Sequence, residues 1–291
     1  MDAFHSFWSA PNKLRHDGKI VFPDYEQLTA VISCLEWKKH NGSIYMVTDT
    51  EGARYFEEIG LTGFWDGIET SLDTLAGSTD PFLFWAAGKL EALRQRPAPC
   101  VMLDTDLIVW GNVDEPVSQY DITAVHSERL NPNVYPEPGA MRFKSGYSFP
   151  ESWDFSLDAS NTAFLCIRDE DFKERYTKEA LDFAFHVRQD GLDPVKAMCF
   201  AEQRILPMCA KECGKSLGYL IELDKAEEQE LVTHAWGFKQ ALDRLPVARH
   251  KFCLRCIRRI AKDFPEDFAR LDKCRDLKAY MEEYICFNKL D

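Results

Sequence analysis

The chain has 291 residues, of which 45% are hydrophobic and 13% aromatic, so it has ample material for a folded core and is not a disordered chain. Its net charge of −13 repels polyphosphate, which argues against general nucleic-acid binding. Because no signal-peptide pattern and no run of ~18 apolar residues is present, we expect a cytoplasmic protein with reduced cysteines.

The first hundred residues alternate between strand and helix patterns. In chain order the patterns predict a strand at 2–8, a helix at 24–40, a strand at 43–49, a helix at 51–61, a short strand within 65–73, a helix from Pro81 to before Pro97, and a strand at 100–103. This alternation predicts an α/β fold with a mainly parallel sheet flanked by helices. Ligands of such sheets bind beyond the carboxyl ends of the strands.

The remainder of the chain is less regular. Residues 127–157 are rich in proline and glycine and exceed ordinary loop lengths, which suggests a functional loop or lid. The later patterns predict a strand at 161–167, helices at 169–189 and 196–214, a strand at 219–223, a turn or strand end at 232–240, and helices from 241 onward. We therefore expect a main domain over residues 1–240 and a C-terminal helical extension, residues 241–291, packed on it.

Two carboxylates, Asp104 and Asp106, interrupt the hydrophobic segment 100–110. If the chain stays extended, residues i and i+2 point to the same side, so both acids can face one spot. Carboxylates at a strand end suit Mg²⁺, which takes one or two of them together with phosphate oxygens and water. The alternative is that one acid caps the following turn and the other is simply exposed.

Two further segments carry residues of the same chemistry. In THAWGFKQ, His234 is a potential metal ligand, Gly237 allows a ligand close to the backbone, and Lys239 suits a phosphate. An ordinary surface turn is the alternative, and from that segment alone it is the favoured interpretation. Asn161 precedes an apolar strand, where it could bond sugar hydroxyls or its own backbone.

Four segments, LDTDLIVWGN, SNTAFLCIR, AEQRILPM and THAWGFKQ, together resemble the motif series of GT-A fold, metal-dependent nucleotide-sugar glycosyltransferases. The resemblance is greatest to the glycogenin and bacterial galactosyltransferase type. That family has an apolar strand ending in D-x-D, a later N-x-G, an acid-Gln pair on a helix and a late H-x-x-G-x-K. It implies transfer of a sugar, from a UDP-sugar in our interpretation, to a hydroxyl of a saccharide or lipid-linked acceptor.

The resemblance also implies roles for individual residues. Asp104, Asp106 and His234 would bind Mn²⁺ or Mg²⁺, and Asn161 and Gln203 would face the transferred sugar. The donor nucleotide would lie against residues that follow the first strands, flank the D-x-D or belong to the late motif: Ser9, Ala10, Thr48, Asp49, Lys89, Thr105, Gly237 and Lys239. Lys89 is equally explained as an exposed helix lysine.

The chain departs from the family pattern at two points. Ala163 stands where the family has glycine, and the Pro-Trp usually found after the late lysine is absent. These differences leave open whether the anomeric configuration is retained or inverted. Asp154 and Asp158 precede Asn161 and could activate an acceptor hydroxyl in an inverting enzyme; simple loop acids are the alternative.

The segment 249–263 is basic and amphipathic, in contrast to the acidic chain around it. It could dock on an anionic membrane at the inner face, or it could pack on the catalytic domain with its charges in water. Its Cys253 and Cys256, with His250 nearby, allow a zinc site, although buried structural thiols are the simpler interpretation.

Two other kinds of function remain open from the sequence. Haloacid-dehalogenase-type phosphoryl-transfer enzymes also end a strand with D-x-D, but there the motif opens the domain, whereas here three predicted strands come first. A non-catalytic sugar-binding protein on the same fold is the other alternative. A metal site requires Asp104, Asp106 and His234 to meet in space.

Overall fold

The computed structural model describes residues 1–77, 79–188, 193–225 and 228–288. The strands are β1 Ala3–Phe7, β2 Ile44–Thr48, β3 Ile68–Glu69, β4 Cys100–Leu103, β5 Leu107–Val109, β6 Ile122–Ala124, β7 Ser127–Glu128, β8 Ala159–Ser160, β9 Phe164–Ile167, β10 Leu217–Tyr219 and β11 Val232–His234. The helices are α1 Ser9–Arg15, α2 Asp24–His40, α3 Thr50–Glu58, α4 Ala87–Gln95, α5 Asp114–Ser118, α6 Glu170–His186, α7 Pro194–Cys199, α8 Ile205–Glu212, α9 Lys239–Arg244, α10 Pro246–Asp263, α11 Pro265–Phe268 and α12 Lys278–Asn288.

A seven-stranded sheet forms the centre of the molecule, with strand order β10-β6-β9-β4-β1-β2-β3. β9 runs antiparallel to both of its neighbours, β4 and β6, while the other strands share one direction. The predicted α/β class with a mainly parallel sheet is therefore confirmed. The carboxyl ends of β1, β2, β4 and β6 lie at one edge, together with the start of β9.

The strands bury both of their faces, because successive side chains point to opposite sides of the sheet. Val101 and Leu103 of β4 pack with α2, whereas Cys100 and Met102 pack with α4 and α6. β1 and β9 alternate in the same way. A helical layer thus covers each face, which explains why these strands are apolar throughout.

The C-terminal helices add to the layer that contains α2. α10 packs against α2, and its inward Cys253, Ile257 and Ile260 belong to the same apolar core as the strands. Asp24, at the start of α2, accepts hydrogen bonds from Arg249 at 2.6 Å and from Tyr280 at 2.6 Å. The division into a main domain, residues 1–240, and a C-terminal extension, residues 241–291, remains a prediction. The role assigned to each part also remains a prediction.

Several predicted elements differ in extent. α4 begins only at Ala87, because turns precede it, and residues 217–219 form the strand expected at 219–223. The helix predicted at 196–214 is α7 and α8 joined by a π-helical turn, Phe200–Arg204. α1, α5, β5 and β6 were not predicted. Residue 189 of a predicted helix, and residues 289–291, lie outside the described part of the chain.

The long segment 127–157 is largely irregular, as predicted, and aromatic side chains attach it to the helices. Phe149 contacts both Phe183 of α6 and Phe200 of the π-helical turn, with ring centroids 6.1 and 5.4 Å apart. Arg204 donates to the carbonyls of Phe155, at 2.8 Å, and Leu157. No helix in the described ranges is long and apolar enough to cross a bilayer.

Candidate functional site

Asp104 and Asp106 are the first and third residues of a tight turn and do not share one extended strand. β4 ends at Leu103, and the amide of Leu107, the first residue of β5, donates to the carbonyl of Asp104 at 3.0 Å. The condition of an extended chain from Asp104 to Asp106 is therefore not met. A turn closed by a hydrogen bond from residue i+3 to residue i reverses the chain, and the carboxylates converge across it.

β11 brings His234 to this turn. It pairs antiparallel with β5, so that His234 lies opposite Leu107, and the amide of Ala235 donates to the carbonyl of Asp106 at 2.9 Å. The imidazole Nε2 of His234 lies 3.6 Å from Asp106 Oδ1. The three predicted metal-binding residues therefore meet, although they are far apart in sequence.

The donor set suits a hard or borderline divalent cation. One ligand atom from each of Asp104, Asp106 and His234 lies within 4.8 Å of the others, and no second set of three is found among the residues described. Two ligands about 2.1 Å from one ion are at most about 4.2 Å apart. Adjacent ligands of an octahedral ion lie about 3.0 Å apart, so binding of Mn²⁺ or Mg²⁺ would draw these ligand atoms together by up to about 1.8 Å.

Lys239 pairs with the negative charge of this cluster. Its Nζ lies 3.0 Å from Asp106 Oδ2 and 2.9 Å from Glu26 Oε1. Burial acts to raise the pKa of Asp106, but His234 and Lys239 outweigh it and lower the pKa overall. Burial acts to lower the pKa of Lys239, but Asp106 and Glu26 raise it. Both groups are therefore charged at neutral pH.

Lys89 is not the exposed helix lysine that was the alternative interpretation. It lies 2.6 Å from Asp104 and contacts Glu202, and its side chain is only 18% exposed. Burial acts to lower the pKa of Lys89, yet the charges of Asp104 and Glu202 raise it overall. Thr162 donates to the same Glu202 oxygen at 2.5 Å. Lys89 thereby fixes the orientation of the carboxylate of Asp104, whose side chain is 26% exposed.

Glu202 and Gln203 lie in the π-helical turn between α7 and α8. Such wide turns occur frequently at functional sites. The Tyr135 hydroxyl lies 2.7 Å from Gln203 Oε1 and 2.7 Å from Glu128 Oε2. Asn161 donates to the other Glu128 oxygen at 2.8 Å. The two residues predicted to face a sugar are thus joined through Glu128 and Tyr135.

Sequence reasoning did not identify Glu26, Glu128, Tyr135 or Glu202. A signal existed for Glu202, since the acid-Gln pair is part of the family pattern. Glu26 lies in an ordinary helical pattern, and the other two lie in the irregular segment. Their roles depend on contacts that no local pattern encodes.

The residues expected to contact the nucleoside are engaged within the chain. Asp49 accepts from the amide and hydroxyl of Ser9, at 3.0 and 2.7 Å, and from the amide of Gly52 at 2.8 Å. Thr48 is buried and donates to the carbonyl of Phe7 at 2.6 Å. Ala10 is half-buried on α1. These contacts fix the ends of β1 and β2 at the edge that also carries Asp104.

Two other predicted nucleotide contacts are open to solvent or partly so. Thr105 is half-buried in the turn between the two acids. Gly237 is exposed, and a Cβ built on it would meet none of the protein atoms described within 4 Å. Nothing in the local backbone or packing therefore requires glycine at 237.

A cavity of about 1200 Å³ opens beside the linked Asn161 and Gln203. Glu128, Tyr135 and Asp158 line it, together with residues of β10 and the segment that follows. Asp154, by contrast, is a half-buried acid that pairs with Lys211 at 2.7 Å and accepts from Ser156. Of the two acids predicted to activate an acceptor hydroxyl, Asp158 is the one that lines the cavity.

The cysteines of the C-x-x-C pair lie on the inward face of α10. Cys253 and Cys256 are buried there, and burial raises the pKa of each thiol to about 12. His250, expected as a possible third zinc ligand, lies 3.1 Å from Glu283 on the exposed side. The structure therefore gives these thiols a packing role.

Comparison with solved structures finds partial likenesses. The chain is similar to mouse xyloside xylosyltransferase 1 (10% identity, TM-score 0.40, covering 76% of this chain and 85% of that one). It is also similar to the glycosyltransferase GlyE of Streptococcus pneumoniae (14%, 0.37, 75% and 45%), so it spans less than half of GlyE. A third is a nucleoside-diphosphate-sugar pyrophosphorylase of Vibrio cholerae (9%, 0.40, 80% and 95%).

A search of curated protein sequences found no match. The model of a family of unknown function, DUF6734, matches residues 1–274, which is nearly the whole chain. The protein therefore belongs to the DUF6734 family.

Proposed function

We propose that the protein is a metal-dependent glycosyltransferase that moves a hexose from a UDP-sugar to a hydroxyl of a saccharide or lipid-linked acceptor. The reaction would serve synthesis of a surface polysaccharide or glycolipid. The observation that carries the proposal is the convergence of Asp104, Asp106, His234 and Lys239 at the carboxyl edge of the sheet. Two carboxylates, an imidazole and a lysine ammonium are groups that suit a metal-bound diphosphate.

Asp104, Asp106 and His234 would hold Mn²⁺ or Mg²⁺, which when bound neutralises negative charge on the departing diphosphate. Lys239 already sits at this point and can exchange its carboxylate partners for phosphate oxygens, as a flexible ammonium group does readily.

Asn161 and Gln203 are the proposed contacts to the transferred sugar. Their amides are held by Glu128 and Tyr135, so each has a fixed orientation next to two residues that line the cavity. Precise placement of this kind lowers the entropy cost of bringing donor and acceptor together. The adjacent cavity is the proposed acceptor site, with Asp158 as one of its polar groups.

Asp106→Asn tests the proposal. We expect UDP with Mn²⁺ to raise the melting temperature of the native protein, by an amount equivalent to about 2.7 kcal/mol at a hundredfold excess over Kd. The variant should lose this stabilisation and reduce sugar-dependent UDP release by at least about a hundredfold. His234→Gln should also lose the stabilisation by UDP with Mn²⁺ and the UDP release. Because this variant leaves the Lys239–Asp106 pair intact, its result separates loss of the metal site from misfolding.

Glu115→Gln is the matched control, because Glu115 is an exposed acid on α5. Stabilisation by beryllofluoride with Mg²⁺, and none by UDP with Mn²⁺, would instead favour phosphoryl transfer. UDP binding without nucleotide release from any donor in a screen would favour a sugar-binding protein. Full activity of Asp106→Asn would contradict the assignment.

A further inference from the structure

One helix inverts the charge of this acidic protein. The seventeen residues 246–262 contain six lysines and arginines and no aspartate or glutamate, although the chain as a whole carries a net charge of −13. All of them belong to α10. A concentration of one sign of charge on a single element is typical of a surface that meets the opposite charge.

The fold separates these cations into two groups. Arg249 pairs with Asp24 at 2.6 Å, and Arg259 pairs with Glu36 at 3.4 Å, so both help to hold α10 in place. The other four are exposed, and in the described part of the chain none of them forms an ion pair: Lys251, Arg255, Arg258 and Lys262.

The four exposed cations form one stripe. Their spacing of four, three and four residues places them along one side of an α-helix. That side is opposite the buried Cys253, Cys256, Ile257 and Ile260, which face α2. The stripe is therefore set by the packing of α10, and it points away from the body of the protein.

Apolar groups accompany the charges. A surface depression of about 440 Å³ is lined by Ala248, Lys251, Leu254, Arg255 and Arg258, so aliphatic and cationic groups share it. At the start of the helix, Leu245 is 56% and Val247 69% exposed. Cations beside exposed apolar side chains are the pattern of helices that lie in a membrane interface, where both kinds of group find partners.

We propose that this outward face of α10, the basic face, binds the surface of an anionic phospholipid membrane. The complementary charge and the neighbouring apolar residues favour a lipid surface over a nucleic acid. A nucleic-acid backbone would offer no apolar partner to Leu245 and Val247. The acidic remainder of the protein would be repelled by the same membrane, so docking is restricted to this face. The proposal is independent of the transferase assignment.

The position of the basic face has a consequence for the candidate site. α9, which begins with Lys239, packs against α10, and Phe238 just before it is 61% exposed. Docking through the start of α10 therefore brings α9, which begins with Lys239, close to the lipid.

Vesicle co-sedimentation of the full-length protein tests the proposal. We expect binding to vesicles that contain phosphatidylglycerol and no binding to pure phosphatidylcholine vesicles. Because each cation contributes roughly fivefold to partitioning, neutralising three, in Lys251→Gln/Arg255→Gln/Arg258→Gln, should reduce binding by about a hundredfold.

The matched control is Lys19→Gln/Arg54→Gln/Lys178→Gln, which removes the same charge from three exposed positions elsewhere. It should bind like the native protein. Equal loss of binding by the two variants, equal binding to neutral vesicles, or no binding to anionic vesicles would each overturn the proposal. Release by inorganic phosphate beyond that caused by sodium chloride of the same ionic strength would do so too, since it would indicate a discrete anion site.

Discussion

Asp104 and Asp106 look equivalent in the sequence, but their surroundings differ. Asp106 is buried between His234 and Lys239, whereas the side chain of Asp104 is 26% exposed and contacts Lys89. The D-x-D pattern predicted that both acids belong to one site. It could not predict the difference, because His234 and Lys239 reach the turn only through the pairing of β11 with β5.

His5 is a second titratable residue beneath the site, and it was not singled out in the sequence. Its Nδ1 accepts from the Trp65 indole at 3.1 Å, and its Nε2 donates to Ser33 Oγ at 3.0 Å. Ser33 in turn donates to the carbonyl of Leu107 at 2.6 Å. This buried series of bonds fixes the start of β5, the strand that follows Asp106.

His5 should make stability depend on pH. Burial lowers the pKa of His5 to about 3, although the charge of Asp106 acts in the opposite direction. The unfolded chain therefore binds one more proton than the folded protein between about pH 6.5 and pH 3. The contribution is complete above pH 6.5 and is lost as the pH falls, by about 2 kcal/mol between pH 7 and pH 5.

Urea denaturation at a series of pH values measures how the free energy of unfolding depends on pH, and His5→Gln is the comparison. The variant should show a shallower decline in the free energy of unfolding over the same range. Parallel curves for the two proteins would mean that His5 does not remain neutral. The neighbouring Cys34 does not interfere, because burial keeps the pKa of its thiol well above the usual value.

At the level of elements, the fold that carries the site depends on backbone contacts between segments that are distant in the chain. The C-terminal segment contacts the end of α3: the amide of Arg275 donates to the carbonyl of Ile59 at 3.1 Å. Gly60 next to it has φ +79°, and a Cβ there would lie 2.2 Å from the carbonyl oxygen of Lys273. Both the backbone angle and the contact require glycine.

Gly60→Ala is therefore expected to destabilise the protein by about 1–3 kcal/mol. Gly63→Ala, three residues later, is the matched control, because a Cβ at 63 meets no described atom within 4 Å. Its effect should lie within about 0.5 kcal/mol. Chemical denaturation measures both, and equal stability of the two variants would contradict the close contact between these segments.

For the whole molecule, the alternation of strand and helix patterns was enough to predict the α/β class and the sheet edge that carries the site. The patterns of β1, β2 and β4 are strong because those strands are buried on both faces. β5 and β6 were missed, since each has only three residues and is stabilised by pairing with distant strands.

The relation of residues 241–291 to the rest can be tested with a feature of the sequence: all seven tryptophans precede residue 241. Ile257 is fully buried in the core shared with α2. Ile257→Ala should cost about 2–5 kcal/mol. If residues 1–240 and 241–291 unfold together, the unfolding midpoint of Ile257→Ala measured by tryptophan fluorescence should be lower than that of the native protein. This should hold although no tryptophan lies in the altered segment.

Val247→Ala is the comparison, because Val247 is 69% exposed on the same helix and its change should leave the midpoint where it was. An unchanged tryptophan midpoint in Ile257→Ala, with a second transition by circular dichroism, would identify 241–291 as an independently unfolding domain.

The π-helical turn at Phe200–Arg204 has a consequence for how this protein can vary. An α-helix rotates by about 100° per residue, so removing one residue there would regularise the helix but turn the whole of α8 relative to α7. Glu202 and Arg204 could then no longer both keep their present partners. Insertions and deletions in this stretch should therefore be tolerated less well than substitutions, and a deletion that strengthened the helix would do so at the expense of turnover.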